Sequence, residues 1–228
     1  MGRFICSDPL ADKFHWVSPY NYAENSPIAN IDWWGLQKVW FQAGLKENKA
    51  YMKAYNAQRK TTLGKQFSST LKNQSKYNVL YITYSYSNEF PSEGVTTSFK
   101  NYESFKKSSK GYLKSINKEG LKVCFEDGAK ELIVIGISNQ NKDENNKAQV
   151  KDAAYDLNHE EGAHGIDYVD DGEENVSQEV EHDQYYGTNE NSYYSPSDED
   201  VKTDPKYKGS PAQQNYKEID DEIKDGSK

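Results

Sequence analysis

The chain has 228 residues, of which 35% are hydrophobic and 28% charged, and its formal net charge is −8. This length predicts one domain of ordinary size with extensions, in which the few apolar residues must be concentrated to form a core. Two cysteines, Cys6 and Cys124, are too few for a disulfide framework, and no run of about 18 apolar residues is present that would span a bilayer.

The charges are unevenly distributed along the chain. Residues 37–76 hold nine lysines and arginines against one acid, whereas residues 152–200 hold sixteen acids and no basic residue. Because an acidic block repels phosphate backbones and attracts cations, a nucleic-acid partner is not expected. No signal peptide is recognisable at the start, so we expect either a protein that stays inside the cell or the end of a longer exported polypeptide.

The first 36 residues combine turn-forming dipeptides with short aromatic stretches. In chain order they read Gly-Arg-Phe at 2–4, Asp-Pro-Leu at 8–10, Pro-Tyr-Asn-Tyr-Ala at 19–23 and Asp-Trp-Trp-Gly-Leu at 32–36. In order and spacing, this segment closely resembles the last part of the RHS repeat-associated core, which ends a β-rich shell and precedes a variable toxin domain. The resemblance implies secretion or display at the cell surface, followed by delivery of the toxin domain into a target cell.

The family motif that closes this core is D-P-x-G-L, which Asp32 and Leu36 match, with Trp33 in place of the proline. In some members of the family a buried aspartate at this motif assists self-cleavage after the leucine. The resemblance therefore makes Asp32 and Leu36 candidate residues of a self-cleavage site.

The rest of the chain is expected to adopt an α+β fold. Residues 37–76 have the composition of a helical linker or docking segment, with few glycines and no proline. Residues 77–187 contain aromatic and β-branched runs typical of strands, and we expect a small antiparallel sheet with a hairpin that joins residues 121–125 to 132–137. Residues 188–228 are predicted to be an acidic disordered tail.

Three of the four histidines, His159, His164 and His182, fall within 24 residues, and a predicted helix from about residue 148 to 163 includes the first. Imidazole is the commonest metal ligand, and a hydrolytic zinc site has three protein ligands and a water molecule. Glu160 follows the first histidine and could accept the proton of that water. We therefore expect a zinc site with the three histidines as ligands and Glu160 as general base, on a helix packed against the sheet.

The spacing of the first two histidines is unusual. In the familiar H-E-x-x-H pattern the histidines lie four positions apart, whereas His159 and His164 lie five apart, which separates them by about 140° on a straight helix. One wide turn of the π type would bring them together, and Gly162 could ease it. On a straight helix Glu160 and His164 face inward, so Glu160, His164 and His182 form an alternative ligand set.

The segment from His159 to His164, followed by Glu-His-Asp-Gln-Tyr-Tyr-Gly at 181–187, resembles proposed metallopeptidase toxins carried by RHS proteins. This resemblance implies a protein or peptide substrate and an immunity protein as partner. The third ligand position remains open between His182 and three glutamates, and two tyrosines could stabilise an oxyanion. The three glutamates are Glu174, Glu179 and Glu181, and the two tyrosines are Tyr185 and Tyr186.

The sequence therefore predicts a metal-dependent hydrolase, specifically a zinc metallopeptidase at the effector end of an RHS-type polymorphic toxin used in bacterial competition. One alternative is a metal-dependent nuclease, which the acidic residues 152–200 disfavour but the basic residues 37–76 do not. The other is a non-enzymatic RHS tip in which the histidines are incidental. Convergence of the three imidazoles in space would favour a metal site, and scatter would favour the non-enzymatic tip.

Overall fold

A computed structural model describes residues 39–74, 76–85, 93–114, 116–125, 131–138, 143–170, 178–190 and 195–225. All of them belong to one unit, which begins at Val39. The candidate self-cleavage residues Asp32 and Leu36 lie outside the described residues. Within the described part, no helix combines the length and the apolar character needed to cross a membrane.

The strands form one mixed sheet in the order β1-β2-β4-β3. They are β1 (Val39–Phe41), β2 (Tyr77–Tyr84), β3 (Gly94–Phe99) and β4 (Glu131–Ser138). Strand β2 runs parallel to both β1 and β4, and β3 runs antiparallel to β4. Almost every residue of β2 and β4 is buried, which is typical of parallel strands that are covered on both faces.

The α+β class, with a helix packed on a small sheet, is confirmed, but the strand directions differ from the expected antiparallel arrangement. The expected hairpin is also wrong, because Glu119–Phe125 forms a 3₁₀ helix and not a strand. The physical reason lies in β2 and β4. Both consist mainly of apolar residues on both faces, which favours a central parallel pair, whereas strands of a half-exposed hairpin would alternate apolar and polar residues.

Helices cover both faces of the sheet. They are α1 (Lys49–Lys60), α2 (Thr62–Asn73), α3 (Tyr102–Lys107), α4 (Lys147–His159), α5 (Ile166–Asp170), α6 (Gln178–Tyr186), α7 (Asp198–Thr203) and α8 (Pro211–Asp225), with 3₁₀ helices at Gly111–Leu113, Glu119–Phe125 and Pro205–Tyr207. The larger core lies on the face that presents Tyr81 and Ile135, where α1, α2, α4, α6 and α8 pack. The smaller core lies on the opposite face, where Leu80 and Val134 meet α3 and the first two 3₁₀ helices.

The segment 37–76 is helical as predicted but is not a separate linker. Thr61 ends α1 and also caps α2, since its side chain accepts a hydrogen bond from the Gly64 amide at 3.0 Å. Ala54 of α1 and Phe67 of α2 have no exposed surface. Both helices therefore belong to the main core, together with the short strand β1.

Disorder was also the wrong expectation for residues 195–225, which form α7, a 3₁₀ helix and α8. Tyr216 and Ile219 of α8 are buried in the larger core, and the Tyr216 ring stacks on Tyr155 of α4 with 4.1 Å between centroids. Asp220 accepts a hydrogen bond from Tyr155 and pairs with Lys151, each at 2.6 Å. Aromatic rings thus supply the apolar surface that aliphatic residues usually provide.

Candidate metal centre

Helix α4 continues without a break through a π-helical turn, Glu160–Gly165, into α5. The amide of Ile166 donates to the carbonyl of Glu161, which is the five-residue hydrogen bond that defines this wider turn. Residues five positions apart therefore lie on one face, and the rings of His159 and His164 come within 5.2 Å of each other, centroid to centroid. The wide turn predicted from the histidine spacing is confirmed.

Gly162 lies inside this turn, where neighbouring helices approach closely. A Cβ atom at this position would lie 2.4 Å from Leu63 Cδ1 of α2 and 2.7 Å from Tyr185 Cε2 of α6. Such distances are shorter than any van der Waals contact between carbon atoms. The glycine therefore allows α2 and α6 to pack directly against the turn.

Helix α6 brings the third histidine to the same place. His182 Nε2 lies 3.3 Å from His164 Nε2, and one ring nitrogen from each of the three histidines lies within 4.8 Å of the other two. In a tetrahedral zinc site with Zn–N distances of about 2.05 Å, neighbouring ligand nitrogens are about 3.3 Å apart. One pair already has this separation, so small side-chain movements would allow all three imidazoles to bind one ion.

Among the described side chains, only the three histidines form a group that could hold a metal ion, and none of the described glutamates belongs to it. Glu174 lies outside the described residues, as do the side chains of Glu179 and Glu181. The Glu160 carboxylate instead accepts a hydrogen bond from Thr96 Oγ1 of β3 at 2.7 Å.

Glu160 is buried between the turn and strand β3. A Cβ atom at Gly94 would lie 2.2 Å from Glu160 Oε1, so the carboxylate occupies the space that a side chain at Gly94 would fill. Burial raises the pKa of Glu160, and the positive charge of a protonated His164 and the hydrogen bond from Thr96 oppose part of this rise. A carboxylate with a raised pKa is a stronger proton acceptor than an exposed one, as a general base requires.

Tyr186 fixes the ring of His159. Its hydroxyl lies 2.9 Å from His159 Nδ1, within hydrogen-bond distance. Burial lowers the pKa of His159 well below its usual value, and the nearby His164 and His182 lower it further. The ring is therefore neutral at physiological pH, which is the form that binds metals. A hydrogen bond to the second nitrogen is a typical support for a metal-binding histidine.

Tyr185, the other candidate for an oxyanion role, has a different partner. Its hydroxyl donates to Asn158 Oδ1 at 2.6 Å, and both side chains are buried. The two tyrosine hydroxyls therefore have different hydrogen-bond partners on α4. Tyr185 contacts a core residue, whereas Tyr186 contacts a candidate ligand.

Glu161, the residue after the candidate base, was not singled out by the sequence. It is fully buried and forms an ion pair with Arg59 of α1. Burial tends to lower the pKa of Arg59, but the attraction of Glu161 and nearby tyrosines outweighs it and raises that pKa. Burial raises the pKa of Glu161, and Arg59 opposes this rise. Because guanidinium stays protonated, we place an ionised Glu161 beside it.

The sequence contained a signal for Arg59, although not for its partner. The chain contains two arginines, Arg3 and Arg59, against 26 lysines. An arginine within a lysine-rich helix indicates a position where the planar guanidinium, with its several donors, is needed.

Comparisons of the chain with protein-family models, with curated proteins and with solved structures found no match. The chemistry of the site must therefore be inferred from its geometry.

Proposed function

We propose that the protein is a metal-dependent hydrolase, specifically a zinc peptidase, with His159, His164 and His182 as the metal ligands. The observation that carries this proposal is the convergence of one nitrogen from each ring to within 4.8 Å. Three neutral imidazoles that leave a fourth position for water are a typical ligand set of catalytic zinc. Convergence also supports a metal site over a non-enzymatic tip with incidental histidines.

The histidine-only ligand set is preferred to the alternative that includes Glu160. Strand β3 holds the Glu160 carboxylate through Thr96, whereas His159 has its ring 4.9 Å from His182 and 5.2 Å from His164. Glu160 then serves as the general base. A bound zinc ion would acidify a water molecule and polarise the substrate carbonyl. The buried Glu160, with its raised pKa, would accept the proton of that water.

We further propose that this hydrolase is the effector end of an RHS-type toxin, secreted or displayed at the cell surface and acting in a target cell. The support is the sequence of residues 2–36, which lie outside the described residues. The same resemblance suggests the roles of Asp32 and Leu36 in self-cleavage, and it suggests an immunity protein as partner. A peptide substrate is preferred to nucleic acid because residues 152–200, which include the site, contain sixteen acids and no basic residue.

The experiment that tests the proposed activity uses the full chain, stripped of metal with a chelator and then reloaded with zinc. It is incubated with a mixed peptide library, and separately with plasmid DNA and with RNA. Zinc-dependent cleavage of peptides is the expected result. Cleavage of nucleic acid alone would support the nuclease, and no zinc-dependent cleavage of any of the three would contradict the proposed hydrolysis.

A further inference from the structure

A second charged cluster lies behind the metal-site turn, and the proposed hydrolysis does not use it. The Glu161 carboxylate accepts hydrogen bonds from Gln58 Nε2 at 2.6 Å and Tyr81 Oη at 2.7 Å, and it pairs with Arg59. Arg59 also donates to Tyr81 Oη and, at 2.8 Å, to Ser68 Oγ. Residues of α1 and β2 therefore hold a single carboxylate of the turn, and Ser68 of α2 supports Arg59.

Stability is a weak explanation for this cluster. The cost of removing two ions from water often exceeds the attraction between them, and apolar replacements of similar volume are commonly neutral or stabilising. A buried ion pair with additional hydrogen bonds is instead satisfied in only one arrangement. The Arg59–Glu161 pair is therefore suited to holding Glu161 in one position relative to α1.

Three consecutive residues of the turn have three different neighbours. Glu160 bonds Thr96 of β3, Glu161 bonds α1 and β2, and Gly162 packs against α2 and α6. These contacts fix the rotation of the helical segment about its axis. The backbone of Glu161 also belongs to the wide turn, because its carbonyl accepts the five-residue hydrogen bond from the Ile166 amide.

We propose that Arg59 and Glu161 are a positioning pair that keeps the turn in its wide form and thereby holds His159 and His164 on one face. Without this anchor the segment can close into a regular α-helix, in which the two histidines are about 140° apart. The inference rests on the proposed metal site, because it assigns the pair to the geometry of that site.

The test is the double variant R59M/E161L, which removes both charges together and leaves neither ion unpaired. Its matched control is K151M/D220L, which removes a partly buried ion pair between α4 and α8, at the opposite end of α4 from the turn. Thermal unfolding shows whether each variant is folded. Competition with a chromophoric chelator measures the zinc affinity, and the visible spectrum of the cobalt(II)-loaded protein reports the geometry of the ligands.

We expect R59M/E161L to unfold cooperatively but to bind zinc about 10- to 100-fold more weakly than the wild type, with an altered cobalt spectrum. The control should bind zinc within about threefold of the wild type. Wild-type affinity and spectrum in folded R59M/E161L would overturn the positioning role and leave the metal site standing. Failure of the wild type to bind zinc would instead overturn the metal site and, with it, this inference.

A second variant covers the case in which R59M/E161L does not fold. R59K keeps the positive charge but loses the planar group that contacts Glu161, Tyr81 and Ser68 together. It should also bind zinc at least about tenfold more weakly. Wild-type affinity in R59K, or loss of folding in both variants, would show that the pair serves the fold and not the turn, and would overturn the proposal.

Discussion

His164 and His182 are eighteen residues apart in sequence, and their Nε2 atoms lie 3.3 Å apart. Two ring nitrogens at this distance either share a proton or bind a common ion, and His159 adds a third ring on the same side. In the ion-bound form both Nε2 atoms must be unprotonated. Zinc and protons therefore compete for this pair of rings.

The first prediction concerns metal content. The purified protein should bind about one zinc ion, and H159A, H164A and H182A should each bind it far more weakly, because each removes one of three ligands. The control is H15A, which removes the remaining histidine. Equilibrium dialysis with atomic absorption measures the stoichiometry. Full zinc content in any of the three site variants would show that its histidine is not a ligand.

The second prediction concerns Gly162. The substitution G162A adds a Cβ atom 2.4 Å from Leu63 Cδ1 and 2.7 Å from Tyr185 Cε2, so these side chains or the helices that carry them must move. We expect the free energy of unfolding to fall by about 1–3 kcal/mol, as for other overpacked sites. G120A is the matched control, since Gly120 is exposed and its nearest neighbour would lie 3.3 Å away. Its effect should be within about 0.5 kcal/mol, and an equal effect of both variants in urea denaturation would contradict the packing described here.

The third prediction concerns pH. In the folded, metal-free protein burial lowers the pKa of His159, whereas the unfolded chain has the ordinary value of about 6.5. The unfolded state therefore binds more protons between these two pKa values, so this contribution to stability is complete above about pH 6.5 and is lost as the pH falls towards the lowered pKa.

Urea midpoints of the chelator-treated wild type and of H159Q, measured at a series of pH values, isolate this effect. Glu160, whose pKa is raised, gives a slope of the opposite sign, because its contribution is lost as pH rises through that pKa. Subtracting the H159Q curve from the wild-type curve removes the Glu160 slope. The difference should increase with pH up to about 6.5, and a flat difference would contradict a neutral, half-buried His159.

The fourth prediction compares two adjacent tyrosines. Y186F removes the hydroxyl that contacts His159, so zinc affinity should fall by about tenfold. Y185F removes a hydroxyl that contacts Asn158, so it should lower the free energy of unfolding by about 1 kcal/mol without a change in zinc affinity. Chelator competition and urea denaturation on both variants measure these effects. Equal zinc affinity of Y186F and the wild type would show that the Tyr186 hydroxyl does not support the ligand.

The wide turn could be predicted from the sequence because His159 and His164 can share a helical face only if a turn is widened by one residue. Strands β2 and β4 were also recognisable from their apolar runs. The parallel pairing of β2 with β4 could not be predicted, because a run of apolar residues identifies a strand but not the strand beside it. The parallel pairing depends on which helices cover the two faces of the sheet.

The C-terminal helices and the contact between Arg59 and Glu161 could not be predicted from the sequence. Low aliphatic content suggested disorder after residue 188, yet Tyr216 and Ile219 bury enough surface to pack α8 against the core. The partners of Glu161 lie 80 to 103 positions away in the chain. Contacts between residues so far apart in sequence depend on the complete fold, and no local sequence pattern specifies them.

The central claim is that Glu160 acts as a base beside a histidine-bound metal ion, and E160Q tests it most directly. Glutamine keeps the shape of the side chain, and its amide oxygen can still accept the hydrogen bond from Thr96, but it cannot take up a proton. E160Q should therefore bind zinc as the wild type does while zinc-dependent peptide cleavage falls by at least about a hundredfold. E222Q, at a half-exposed position of α8, serves as control and should retain full activity. Full activity of E160Q, or a loss of zinc affinity parallel to the loss of activity, would contradict the role of Glu160 as a base.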